Sequence, residues 1–219
     1  MTVAIKVHNA IERSSWIRRM FEEGAALTAE FGAENVYDFT LGNPSVEPPE
    51  AFHRELRRIV NQPDLGTHRY MNNAGYEETR AAVAKNIAQY SGVQINASHI
   101  IMTCGAGGAL NVTLKTILNP GEEVIILTPF FVEYKFYVDN HGGTTTEVWT
   151  DPETFQPDIA AIESAITDNT RAIIINSPNN PTGVVYDRAT WEAIAKTSIA
   201  HDLWLISDEV YDTQVWQGE

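Results

Sequence analysis

Four short groups of glycine and polar residues stand directly after apolar runs of the chain, at 105–108, 129–131, 176–183 and 208–211. A glycine segment that opens a helix offers free backbone N–H groups, which bind phosphate, and glycine lets the backbone approach the anion closely. A carboxylate at the end of a buried strand, as Asp208 would be, is costly unless it meets a cation or several hydrogen-bond donors. These groups are therefore candidates for binding an anion and a cation.

The other two groups add an aromatic ring and amides. Phe131 could stack on a flat ligand. The segment 177–183 (SPNNPTG) carries two amides that both donate and accept hydrogen bonds. Taken one at a time, each group also has a purely structural interpretation: a tight turn, a rigid Asn-Pro turn, a helix cap or ion pair, or a ring in the core. Their meaning depends on whether the fold brings them together.

The surrounding chain alternates short apolar runs with helical patterns. We expect strands at 99–103, 123–128, 144–149, 171–176 and 203–207, and helices at 10–31, 51–60, 76–90, 110–118, 159–166 and 191–199. This alternation is typical of an α/β fold with a mostly parallel sheet and helices on both faces. Ligands of such sheets bind at the carboxyl ends of the strands, where all four groups fall.

Composition excludes several other classes of protein. The chain has 219 residues, of which 43% are hydrophobic, and a formal net charge of −14 without any basic cluster. We therefore expect a globular fold and neither nucleic acid nor a membrane as a partner. The lone Cys104 rules out an internal disulfide, and we identify no signal peptide. A cytoplasmic location is expected.

Read together, the four groups describe a pocket with a phosphate cradle, a stacking ring, an amide, a carboxylate and a phenol. Such a pocket fits a flat, phosphorylated heteroaromatic ring that has a basic nitrogen and a hydroxyl group. Pyridoxal 5′-phosphate has each of these features.

The order of the motifs G-A-G-G-A-L, P-F-F-V-E-Y, S-P-N-N-P-T-G and S-D-E-V-Y closely resembles fold-type I enzymes that use pyridoxal 5′-phosphate, in the class I/II aminotransferase family. A tyrosine followed five residues later by a glycine that opens a helix, at Tyr70 and Gly75, also matches the family. The resemblance implies transfer of an amino group between an amino acid and a 2-oxo acid, and a homodimer with active sites at its interface.

The resemblance also implies roles for individual residues. Cofactor-binding residues would be Gly105, Ala106, Gly107, Phe131, Asn180, Asp208 and Tyr211. The first three would bind the phosphate through backbone N–H groups, and Phe131 would lie against the ring. Asn180 and Tyr211 would share the ring's 3′-oxygen. Asp208 would keep the ring nitrogen protonated, because an opposite charge favours the charged form.

Three further roles follow from the same resemblance. Tyr70, Asp208 and Tyr211 would be the catalytic residues of this chain, with Tyr70 reaching the phosphate of a neighbouring subunit. Gly42 and Asn180 would lie near the substrate. For Tyr70 and Gly42, interface packing and loop geometry remain alternative explanations. No cluster predicts a metal site.

The family also uses a lysine that bonds covalently to the cofactor, some tens of residues beyond the D-E-V-Y segment. The five lysines of this chain are Lys6, Lys85, Lys115, Lys135 and Lys196, and none follows Asp208. We therefore expect an N-terminal portion of a longer enzyme, a truncated product or one half of a split protein. Residues 1–46 would contribute to a small domain, and 47–219 would form most of the large cofactor domain.

Two alternatives remain open at this stage. The same pocket serves β-lyases of the same fold. A non-catalytic chain could instead bind pyridoxal or pyridoxamine 5′-phosphate without a covalent bond, or only pack against a partner such as a complementary C-terminal half.

Overall fold

A computed structural model describes residues 3–8, 15–39, 46–62, 66 and 68–215 of the chain. The chain separates into two compact units, residues 1–69 and 70–219. The expected domain division at residue 46 stays a prediction.

The first unit contains α1 (Ser15–Phe31) and α2 (Glu50–Asn61), with a 3₁₀ turn at Ala33–Asn35. The expected helix at 10–31 is confirmed from Ser15 onward, whereas its first residues lie outside the described part. Helix α2 has no buried residue, and its surface carries an ion pair between Arg57 and Glu50.

The second unit is built on a parallel four-stranded sheet. Its strands are β1 (Glu123–Thr128), β2 (Thr144–Trp149), β3 (Thr170–Asn176) and β4 (Trp204–Asp208), arranged in the order β2-β1-β3-β4. All three ladders are parallel. The predicted α/β class is confirmed, and four of the five predicted strands are present within one residue of their expected bounds.

Helices connect and cover these strands. They are α3 (Glu77–Ser91), α4 (Gly105–Ile117), α5 (Glu133–Asn140), α6 (Ile159–Ala165) and α7 (Arg188–Ala200). Asp158 and Asp187 begin α6 and α7 as N-caps, because their side chains accept hydrogen bonds from backbone N–H groups of the first turn. Helix α5 was not predicted from the sequence.

The core consists of two apolar layers, one on each face of the sheet. Val124 and Ile126 of β1 pack in one layer with Leu114 of α4, whereas Ile125 packs in the other with Ile194 of α7. Successive strand residues point to opposite faces, so a strand buried on both faces must be apolar throughout. This is why β1 and β3 are the most continuous apolar runs in the chain.

The expected strand at 99–103 is wrong. Its first residue belongs to a 3₁₀ turn (Ala97–His99), which Asn96 caps by accepting a hydrogen bond from the Ser98 N–H. Residues 100–103 pair with no strand of the described chain; Met102 N donates to Ala74 O at 2.9 Å, and Ile101 is 61% exposed. An apolar run becomes a strand only where a neighbour completes the hydrogen-bonded ladder.

None of the described helices is long and apolar enough to cross a membrane. The described residues also contain no cluster of His, Cys, Asp and Glu that could hold a metal ion.

Candidate active site

The strand ends and the start of α4 meet at one cavity of about 240 Å³. The residues that line it come from five separate segments of the second unit, and they are Ala106, Gly107, Leu110, Phe131, Tyr134, Tyr137, Asn176, Asn180, Asp208, Val210 and Tyr211. Each of the four groups singled out in the sequence contributes at least one of these residues. The parallel sheet brings them together because its strands all end at the same edge.

The ends of β3 and β4 contribute Asn176 and Asp208 to the lining of the cavity. Asn176 and Asp208 are register partners at the last pair of the ladder. Asn176 Nδ2 donates to the backbone carbonyl of Asp208 at 2.8 Å, and Asn176 Oδ1 accepts from the backbone N–H of Asn180 at 2.7 Å. One buried amide therefore fixes the S-P-N-N-P-T-G loop against the end of β4.

The start of α4 forms another wall. The helix begins at Gly105 after Cys104, which makes no side-chain cap. The Gly105 N–H donates to Thr103 O at 3.1 Å, whereas the N–H groups of Ala106 and Gly107 belong to the first turn, where no intrahelical acceptor exists. The partial positive charge of this helix start favours an anion.

Gly107 leaves room that no other residue would leave. A Cβ atom at this position would lie 2.8 Å from the Tyr137 hydroxyl oxygen, closer than such atoms approach in proteins. Because Gly107 has no side chain, the Tyr137 hydroxyl can lie close to the first turn of α4, where the Ala106 and Gly107 amides are. This space is suited to a tetrahedral anion.

Asp208 is a nearly buried carboxylate with no cationic partner among the described residues. Tyr134 Oη donates to its Oδ2 at 2.7 Å. Its Oδ1 accepts only a long contact of 3.4 Å from the Val210 N–H. Burying a carboxylate without a cation is costly, so Asp208 retains the capacity to bind a positively charged ligand.

Two phenols next to Asp208 are held in the neutral form. Burial raises the pKa of Tyr134, and the hydrogen bond to Asp208 and the negative charge of that carboxylate raise it further. Burial also raises the pKa of Tyr137, with smaller contributions from the charges of Glu133 and Asp208. Both hydroxyls therefore remain hydrogen-bond donors at neutral pH.

The remaining lining residues add an aromatic ring and two polar side chains. The Phe131 ring packs edge-on against Tyr134, with ring centroids 5.6 Å apart and an interplanar angle of 82°. Asn180 Nδ2 donates to the Tyr211 hydroxyl at 3.3 Å. An aromatic face and two polar groups thus border the same cavity.

Most of the predicted site residues lie at this cavity, but three do not line it. Gly105 precedes the lining residues Ala106 and Gly107 in the same helical turn. Tyr70 is fully exposed. Gly42 lies outside the described residues.

Sequence reasoning missed three polar lining residues, Tyr134, Tyr137 and Asn176. The two tyrosines lie on the unpredicted helix α5, where Tyr134 and Val138 are buried four residues apart. That helical spacing was the available signal. Asn176 was recognised as the start of a polar group but was given no role.

All five lysines lie within the described residues, and none lines the cavity. Lys135 forms an ion pair with Glu147 and lies 5.3 Å above the Phe130 ring. Lys196 lies in α7, on the opposite face of the sheet from α4 and α5.

Comparison with known proteins identifies the class to which this fold and site belong. A family model for aminotransferases of class I and II matches residues 33–219. The chain therefore belongs to the class I and II aminotransferase family, as the motif resemblance predicted.

Individual relatives agree with this assignment. The chain is similar to the aspartate/prephenate aminotransferase of Thermus thermophilus, with 39% identity over 181 residues that cover 82% of this chain and 46% of the relative. It is also similar to the aspartate aminotransferase of Thermotoga maritima, with 35% identity over 187 residues that cover 85% and 49%. The chain spans about half the length of the curated relatives it matches.

Solved structures share the fold. An amino transferase from Eubacterium rectale superimposes with a TM-score of 0.91 at 36% identity, covering all of this chain and 57% of that one. The aspartate aminotransferase of Thermus thermophilus with maleate gives a TM-score of 0.77 at 39% identity, covering 82% and 47%.

Proposed function

We propose that this chain forms the pyridoxal 5′-phosphate-binding part of an aminotransferase that moves an amino group between an amino acid and a 2-oxo acid. One observation carries the proposal: Asp208 and the helix start at Ala106 and Gly107 line the same cavity. The cavity thus has a negative and a positive side. The cofactor has a basic ring nitrogen at one end and a phosphate at the other.

Asp208 would bind the ring nitrogen. An opposite charge within hydrogen-bond distance favours the protonated nitrogen, and the low exposure of Asp208 strengthens that interaction. When bound, the cofactor supplies an electron sink that stabilises negative charge at the α-carbon of the substrate. The contribution of Asp208 is to keep the ring in the charged form that this chemistry needs.

Asn180 and Tyr211 would orient the ring in its plane. Their side chains are already hydrogen-bonded to each other, so a ring oxygen could take its place between two preorganised polar groups. Asn180, which Asn176 holds through its backbone N–H, would also border the substrate. Phe131 would cover one face of the ring and exclude water from it.

The first turn of α4 would bind the phosphate. The Ala106 and Gly107 N–H groups lack intrahelical acceptors, and Gly105 provides the turn that opens the helix, with a positive φ of 70°. Because these amides cannot be satisfied within the helix, the anion can accept their hydrogen bonds without breaking any bond of the helix.

The family resemblance extends the proposal to a homodimer. Tyr70 would bind the phosphate of the neighbouring subunit. Its side chain is fully exposed, so no described residue of its own unit covers it. Gly42 would lie near the substrate.

Non-covalent binding is a second candidate for the 219-residue chain by itself. The specific observation is that none of its five lysines lines the cavity. In this form the chain binds pyridoxamine 5′-phosphate, which needs no lysine, and catalyses no transfer alone.

Calorimetric titration with pyridoxamine 5′-phosphate tests the cofactor site. We expect one ligand per chain, and at least tenfold weaker binding of pyridoxamine, which lacks the phosphate. No binding of either ligand would contradict the proposal. For the transfer itself, amino-group transfer to a 2-oxo acid by an enzyme that contains this chain supports an aminotransferase, whereas release of pyruvate and ammonia would indicate a β-lyase.

A further inference from the structure

Tyr134 is the direct neighbour of the Asp208 carboxylate, and no motif role accounts for it. Its hydroxyl donates to Asp208 Oδ2 at 2.7 Å, and its side chain is only 2% exposed. We propose that Tyr134 is a positioning residue that holds the Asp208 carboxylate oriented toward the ring nitrogen of the cofactor. This inference rests on the proposed function.

The two oxygens of the Asp208 carboxylate have different hydrogen-bond partners. Oδ2 is bound by the phenol, whereas Oδ1 has only the long 3.4 Å contact from the Val210 N–H. A carboxylate with one oxygen fixed cannot rotate freely, so its other oxygen stays available in one direction. Tyr134 thereby preorganises Asp208 before the cofactor binds.

Tyr134 is itself held rigidly enough for this task. It lies in the first turn of α5 and packs in the apolar layer that contains Val124 and Val138. Phe131 contacts its ring edge-on. The phenol therefore has a fixed location with respect to the end of β4.

The electrostatic effect of Tyr134 has a definite sign. A hydrogen bond donated to a carboxylate stabilises its charged form. In a buried pair, the proton can lie on the ring nitrogen or on the carboxylate. Stabilising the carboxylate anion favours the arrangement in which the nitrogen carries the proton, so removing the hydroxyl should shift the shared proton from the nitrogen toward the carboxylate.

The other titratable groups near Asp208 do not replace this donor. The Asp208 carboxylate accepts hydrogen bonds from Tyr134 and from the Val210 N–H, and not from Tyr137 of α5, Tyr211 after β4 or the acid Glu133. No lysine, arginine or histidine of the described chain pairs with Asp208. Tyr134 is thus the side chain that donates to this carboxylate.

The test follows the ring nitrogen directly. Pyridoxamine 5′-phosphate labelled with ¹⁵N in the ring is bound to the chain, and the ¹⁵N chemical shift is recorded against pH. We expect Tyr134→Phe to change the ratio of the two proton arrangements about tenfold in favour of the carboxylate, which moves the ¹⁵N shift at neutral pH toward that of the unprotonated ring. The affinity for the ligand should fall about tenfold as well.

Tyr186→Phe is the matched control. Tyr186 is also a buried tyrosine, 4% exposed, but it belongs to the core layer on the other face of the sheet and does not line the cavity. It should leave the ¹⁵N titration unchanged. A loss of packing alone would not move the titration of the bound nitrogen, so this readout separates positioning from a structural role.

A second replacement keeps the test valid if Tyr134→Phe folds poorly. Replacing Tyr134 with 3-fluorotyrosine preserves the shape and makes the hydroxyl a stronger donor, so the ¹⁵N shift at neutral pH should move toward that of the protonated ring. An unchanged titration in the folded variants would overturn the inference and leave the cofactor site intact. A failure of the unmodified chain to bind the ligand would overturn the proposed function and this inference together.

Discussion

Asn176 joins two segments of the candidate site through a single side chain: its Nδ2 donates to the Asp208 carbonyl at 2.8 Å, and its Oδ1 accepts from the Asn180 N–H at 2.7 Å. Both the donor and the acceptor of the amide are thus used, and the residue is only 3% exposed. The position of Asp208 relative to Asn180 therefore depends on a residue that needs no contact with the ligand itself.

Asn176→Asp should lower the stability of the fold. The substitution removes the donor to the Asp208 carbonyl and places a second negative charge beside it, so the free energy of unfolding should fall by about 2–3 kcal/mol. Urea denaturation measures this change. Asn169→Asp, at an exposed position, is the control and should change stability by less than about 0.5 kcal/mol. Equal effects of the two variants would contradict the role of Asn176.

Asp208→Asn should weaken the binding of pyridoxamine 5′-phosphate. The variant preserves the shape of the side chain and removes its charge, and a hydrogen bond with a charged group contributes about 1.5–3 kcal/mol, so affinity should fall roughly 10- to 100-fold. Calorimetric titration gives the affinity. Asp202→Asn changes the net charge equally at an exposed position and should bind like the unmodified chain.

The sequence predicted the sheet well because its central strands are apolar on both faces. Runs such as those of β1 and β3 are short, rich in β-branched residues and bounded by glycine, proline or asparagine, which favours a buried strand over a helix. The meeting of the polar groups at one cavity also followed from the fold class, since parallel strands end at one edge.

The unpredicted parts depend on tertiary contacts. The run at 99–103 has the composition of a strand, but no described strand pairs with it. Helix α5 spans only eight residues, so the spacing of Tyr134 and Val138 was its one periodic signal. The role of Tyr134 could not be predicted from that spacing, because its partner Asp208 lies 74 residues further along the chain.

Gly107→Ala should impair phosphate binding selectively. The added Cβ would lie 2.8 Å from Tyr137 Oη, so the phenol must move, and the methyl group takes up space beside the helix start. Affinity for pyridoxamine 5′-phosphate should fall about tenfold while that for pyridoxamine changes little. Gly108→Ala is the matched control, because its nearest contact is an ordinary 3.4 Å to Thr103 Cβ.

The double variant Gly107→Ala/Tyr137→Phe tests the cause. Removing the hydroxyl relieves the close contact, so part of the lost affinity should return. A parallel loss for both ligands, or no recovery in the double variant, would contradict a steric effect at the phosphate site.

Stability should decline at high pH because of buried tyrosines. Burial raises the pKa of Tyr186 to about 12, whereas an unfolded tyrosine ionises near pH 10. The contribution is intact below about pH 10 and is lost as pH rises to about 12, because the unfolded chain releases its proton first. The free energy of unfolding should fall by up to about 2 kcal/mol over this range.

Urea denaturation between pH 9 and pH 12 measures this decline. Tyr186→Phe should show a shallower decline than the unmodified chain, whereas the exposed Tyr90→Phe should follow it. Identical pH profiles for the unmodified chain and Tyr186→Phe would contradict the assignment.

A crystal structure of the chain with pyridoxamine 5′-phosphate is the most direct test of the proposed site. The account predicts the ring nitrogen about 3 Å from a carboxylate oxygen of Asp208, with the phosphate accepting hydrogen bonds from the Ala106 and Gly107 N–H groups. A ligand bound outside this cavity, or bound with its phosphate beside Asp208, would contradict it.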